Sequence, residues 1–179
     1  MTIDVNDFSR TKQGDRVIRR RVSLWEAEAV KSKPLMEVYR YWESLRPTGL
    51  IPSRNQFDVL KLKPVMGTTT LVDVGDNRNP DEFHYRLYGT QIPLPMQLSH
   101  RNINALRESE PYFEMVKQDY LAAREIGVPL YHEIVALIDY VTHSYARLIL
   151  PFASDNRNVD QLMVCSVHQN FPDLIQLLH

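Results

Sequence analysis

The groups able to do chemistry are spread thinly along this chain of 179 residues. Its histidines, His84, His100, His132, His143, His168 and His179, never recur at the helical spacing of a two-histidine zinc site. His132 and Glu133 are adjacent, which in a strand sends their side chains to opposite faces. No Gly-x-Ser-x-Gly elbow and no Gly-x-x-x-x-Gly-Lys phosphate loop is present. Glu108 and Glu110 are close in sequence but lie beside an expected helix start, where they complement its dipole. The sequence therefore assigns no catalytic residue and no metal ligand, and it points away from an enzyme. The lone Cys165 excludes an internal disulfide and a multi-cysteine zinc site and suits a reducing compartment. It sits in the apolar run 162–167 and reads as a buried structural thiol.

Two cations are more informative. Arg86 and Arg147 each fall inside a β-pattern with apolar neighbours, and an arginine in a half-buried sheet needs an acceptor. Asp73, across an expected hairpin, is the natural partner of Arg86, with a ligand carboxylate or phosphate as the alternative. The sequence offers no partner for Arg147. The remaining cationic feature is Arg16 with Arg19-Arg20-Arg21, read as a solvated basic stretch. No aromatic residues are interleaved with it for base stacking, so nucleic acid is not an expected partner.

The elements that must position these groups follow from periodicity and breakers. Residues 1–22 are polar without a sustained apolar period and predict a mobile basic arm. Ser23-Leu24-Trp25-Glu26 has the form of a capping box and opens a helical segment over 23–47, kinked at Pro34. Leu35, Val38, Tyr39, Trp42 and Leu45 make one apolar stripe on it. Leu24, Trp25 and Val30 lie before the kink and also need cover, which predicts contact with a second copy of the chain, a homodimer. Residues 68–74 and 83–88 predict a hairpin closed by Gly89, and residues 108–126 a helix ended by Gly127. Three apolar runs, 130–138, 145–151 and 159–167, predict a three-stranded meander, and 171–179 a short terminal helix. The expected architecture is α+β: one five-stranded antiparallel sheet with helices over one face.

Composition fits a single folded domain with extensions. Apolar residues make up 44% and charged residues 24%, ordinary values for a globular chain. Twenty-one basic residues against 22 acidic leave a net charge of -1, so no global field attracts nucleic acid or anionic lipid. No leader pattern opens the sequence and no window reaches the ~18 apolar residues of a membrane span, so a cytoplasmic location is expected.

A scattered pattern adds to this. Tyr41-Trp42-Glu43-Ser44-Leu45-Arg46, Pro52-Ser53-Arg54, Leu71-Val72-Asp73-Val74, Tyr85-Arg86-Leu87-Tyr88-Gly89-Thr90 and Arg147-Leu148-Ile149-Leu150-Pro151 follow one another in an order and spacing that resembles the PAS-domain family. The likeness is to the PAS_5-type compact bacterial proteins. It implies a PAS-like domain over 48–170, a sensory or interaction role, and a homodimer made through an N-terminal helix. An unidentified signalling protein would receive the output, since no output domain is present. A ligand pocket would lie between the sheet and the helical segment 91–126. Its implied lining is Arg86, Tyr88, Met96, Phe113, Tyr120, His132, Tyr145, Arg147 and Met163, with Leu98 and Met115 also available. Two readings stay open for these side chains, pocket lining and plain core filling. The resemblance names no cofactor, although haem ligation by one histidine is an option in such folds. Where relatives carry Gly-x-Asp-x-Thr-Gly, this chain reads Pro95-Met96-Gln97-Leu98-Ser99-His100-Arg101-Asn102, so the loop over the implied pocket differs. The leading expectation is a small-molecule sensor. A ligand-free adaptor is the alternative, and an enzyme on a cone-shaped α+β fold the third.

Overall fold

A computed structural model describes residues 4–7, 15–24, 30–75, 79–92, 111–138 and 140–178. The chain is α+β, and its strands form one antiparallel sheet. In chain order the strands are β1 (Asp4–Asp7), β2 (Arg16–Val22), β3 (Thr69–Asp73), β4 (His84–Leu87), β5 (Leu130–Ile138), β6 (Val141–Phe152) and β7 (Gln161–His168). Their order across the sheet is β1-β2-β5-β6-β7-β3-β4. The hairpin β3–β4 and the meander β5–β6–β7 lie where alternation and turn residues predicted them, and β3 joins them by pairing with β7.

Two expectations are corrected here. The predicted arm contains strand β2, which pairs along its whole length with β5, from Arg16 opposite Leu137 to Val22 opposite Tyr131. With β1 paired in turn to β2, the sheet has seven strands among the described residues rather than five. Val17 and Ile18 are buried within it, and two of the arginines between them and Val22, Arg19 and Arg20, are held by ion pairs that no local pattern reveals.

The helices cover both faces of the sheet rather than one. Helix α1 (Lys33–Ser44) starts at Lys33, with Ser32 as its N-cap and Pro34 in its first turn. Proline is tolerated there because its missing amide has no helical partner in any case, so no kink results. Residues 25–29, with Trp25, lie outside the described residues. Val30 is buried in the chain's own core and Leu24 packs partly against it, so neither depends on a second copy for cover. Together with the 3-10 turns over Val59–Thr68 and the terminal α3 (Pro172–Ile175), α1 covers one face. This core contains Trp42, Leu148, Leu150, Phe152, Met163, Cys165 and Phe171. Trp42 is fully buried, and its indole N–H donates to Pro151 O at 2.9 Å.

Helix α2 (Pro111–Ile126) lies on the other face, against Ile134, Ala136, Ile149, Leu162 and Val164. Among the described residues no helix is long and apolar enough to cross a membrane. Cys165 is a free, buried thiol, and burial pushes it up to about 12. It belongs to the packed core, as its sequence context predicted.

Candidate functional site

Alternation along β6 divides the chain's chemistry. Ala146, Leu148 and Leu150 enter the α1 core, whereas Tyr145, Arg147 and Ile149 face α2. Arg147 is 2% exposed, so its charge must be met inside the protein. The partner is Asp119 of α2, which is 3% exposed and accepts from Arg147 Nη2 through Oδ2. The other oxygen, Oδ1, accepts from Nη1 of Arg19 on β2. One carboxylate therefore ties α2 to two different strands.

His132 of β5 lies opposite Arg147 in the sheet register and completes this group. Its Nδ1 is 3.3 Å from Arg147 Nη2 and 3.7 Å from Asp119 Oδ2. Burial lowers the imidazole pKa to about 3, against the opposing pull of Asp119, so His132 is neutral at ordinary pH. Arginine has only donors to offer, and Nδ1 is accordingly the acceptor. Burial works most strongly against the Arg147 cation, but Asp119 together with Tyr145, Tyr120 and Tyr112 more than offsets it and holds the guanidinium above its ordinary range.

The hydrogen bonds of the Arg147 guanidinium all leave through Nη2. Its Nε is buried and has no partner among the described residues. Beside it is a cavity of about 30 Å³ lined by Thr70, Tyr85, Tyr88, Ile92, Tyr112, Phe113, Val116, Tyr120, Arg147, Val164 and Ser166. Burial raises the hydroxyls of Tyr85, Tyr88, Tyr112 and Tyr120, which are therefore neutral, and those of Tyr85 and Tyr120 are hydrogen bonded to each other. A second cavity of about 20 Å³ adjoins the first, lined by Ile92, Tyr112, Ala136, Ile138, His143, Tyr145 and Ser166. Tyr112, Ser166 and Ile92 line both, and Tyr112 Oη is hydrogen bonded to Tyr145 Oη at 2.9 Å.

Local sequence explains how the segment carrying Tyr88 and Ile92 reaches this site. A Cβ on Gly89 would lie 2.4 Å from the carbonyl oxygen of Gly67, so only glycine allows the two backbones to approach so closely. Gln91 N then donates to the same oxygen at 2.8 Å.

Among the residues expected to line a pocket, Tyr88, Phe113, Tyr120 and Arg147 line the first cavity and Tyr145 the second. His132 sits behind them in the charged group. Met96 and Leu98 lie outside the described residues. Met115 belongs to the core under α2 but lines neither cavity.

Two expected residues are elsewhere. Met163 points to the α1 core, because the register of β7 sends Leu162 and Val164 toward α2 instead. Arg86 is on the surface, its side chain 61% exposed, where it pairs with Asp73 through Nε at 2.9 and 3.0 Å. Its partner is thus the one expected across the hairpin, but it lines a surface groove with Asp73 and Gln161 rather than the cavity under α2.

The sequence reading missed Asp119, Arg19, Tyr112 and Ser166. Asp119 did carry a signal: it stands on the stripe Val116, Tyr120, Ala123 of a helix that is otherwise apolar on that side. An acidic residue there demands an internal partner. Among the described residues no cluster of three or more histidine, cysteine or acidic side chains has the arrangement of a metal site. Comparison with protein-family models, with curated proteins and with solved structures gave no match for this chain.

Proposed function

We propose that this protein is a cytoplasmic PAS-type sensory domain, without catalytic activity, that binds a small molecule under α2 and alters its contacts with a signalling protein. The carrying observation is Arg147, an interior cation whose Nε has no partner among the described residues and which lines a cavity ringed by tyrosine hydroxyls. Protein interiors satisfy nearly all buried donors, so an open one beside a polar cavity is a binding feature in search of its acceptor. The PAS-type part of the reading is supported by the element order. Two strands, a segment containing α2 and three further strands share one antiparallel sheet. Homodimerisation through the segment around Leu24 belongs to the same proposal.

One observation favours the adaptor reading. A cavity of about 30 Å³ has room for two or three waters at about 10–15 Å³ each, which is close to a filled core.

Native mass spectrometry of the gently purified full chain separates the two readings. The sensor reading expects a dimer with extra mass that is released on denaturation. A protein that keeps its bare mass, and gains none when offered a broad set of small metabolites, favours the adaptor.

A further inference from the structure

We infer that the interior site takes a short-chain carboxylate, its oxygens on Arg147 and the tyrosine hydroxyls, its apolar tail in the second cavity. This deepens the sensory reading and rests on it. The first argument is the balance of donors and acceptors. The cavity is lined by Arg147, whose buried Nε has no partner among the described residues, together with Tyr85, Tyr88, Tyr112, Tyr120, Thr70 and Ser166. The one carboxylate in direct contact with Arg147, Asp119, already accepts from two guanidiniums. A cavity whose described lining holds a guanidinium and no carboxylate matches an acceptor-only, anionic group.

The second argument is shape. Beyond the shared wall the lining changes to Ala136 and Ile138, with His143 and Tyr145. The polar end and the apolar end lie on either side of Tyr112, whose hydroxyl is bonded to Tyr145. A ligand spanning both cavities replaces that bond with its own contacts. The combined space of about 30 and about 20 Å³ admits about three to five non-hydrogen atoms at about 10–15 Å³ each, which selects acetate or propionate and excludes large aromatic acids.

Isothermal titration of the full chain with propionate tests this against its uncharged near-isostere propionamide and against formate. Propionate is expected to bind at least about tenfold more tightly than propionamide, the difference a charge-assisted hydrogen bond makes. Arg147→Lys should lose at least about tenfold for propionate. Ala136→Val, which fills the second cavity, should weaken propionate by a similar factor and leave formate unchanged.

Equal binding of propionate and propionamide overturns the carboxylate assignment while the sensory reading stands. Unchanged propionate affinity in Ala136→Val overturns the placement of the tail. Absence of binding by any of the three overturns this inference, and the sensory reading falls with it only if native spectra also show no retained molecule. Should Arg147→Lys fail to fold, the comparison of the two isosteres on the unaltered chain decides the assignment alone.

Discussion

The two faces of the sheet are made by alternate residues of the same strands, yet they are packed by different rules. Toward α1 the interior is apolar apart from one buried carboxylate, Glu133, which accepts from Arg20, and Arg20 also reaches Asp173, which is more than half exposed. Toward α2 the interior holds two guanidiniums, a carboxylate, a neutral imidazole and several tyrosine hydroxyls around two small cavities. Close packing of apolar groups is the efficient way to stabilise a domain, and a buried ion pair is a poor one because desolvation offsets its attraction. The difference separates the faces by task. The α1 face carries stability, and the α2 face holds polar groups in fixed positions at a cost in stability.

Substitutions on each face sharpen or break this division. The largest effect is expected on the α1 face. Trp42→Ala should lower unfolding free energy by about 4 kcal/mol, as removal of a buried aromatic does. Denaturant unfolding that shows less than about 1 kcal/mol would erase the contrast. On the polar face, Asp119→Ala leaves Arg147 and Arg19 without their shared carboxylate and should destabilise by about 3 kcal/mol. Gly89→Ala forces Cβ against the Gly67 carbonyl and should cost about 2 kcal/mol, with a change in tyrosine fluorescence as Tyr88 moves.

The polar face should also impose a pH dependence through its buried imidazole. His132 has its folded pKa lowered from 6.5 to about 3. Its contribution is therefore complete above pH 6.5 and is lost as pH falls toward 3, because the unfolded chain takes up the proton first. The expected slope approaches about 1.4 kcal/mol per pH unit in that window. Unfolding curves of His132→Asn should lack this component, and an unchanged slope would assign the acid sensitivity to other groups. The smallest effect belongs to the surface. Arg86→Ala removes an exposed ion pair and should change stability by less than about 1 kcal/mol, with no effect on ligand binding.

Much of the frame was legible in the sequence, and the reasons for the misses are physical. Strands β3 to β7 and helix α2 announce themselves through alternation, a helical stripe and breakers such as Gly127, all of which are local signals. Strand β2 does not, because Arg19, Arg20 and Arg21 mask the alternation that Val17, Ile18 and Val22 begin. The partners that make two of those arginines tolerable, Asp119 and Glu133, lie about a hundred residues away. Arg147 was recognisable as a cation needing a partner, while the partner depends on how α2 docks and is fixed only in three dimensions. Met163 and Arg86 were misplaced for one reason. A strand pattern fixes which residues share a face but not which face the site occupies.

The most direct measurement follows the Nε–H resonances of the arginine side chains in the full-length protein by NMR, before and after saturation with propionate. The account predicts an Arg147 Nε–H that shifts and gains protection on addition, while Arg20, on the opposite face, stays unchanged. An Arg147 Nε–H already fully protected in the free protein and indifferent to propionate would show that its acceptor is internal, and would contradict the assignment of the α2 face as a ligand site.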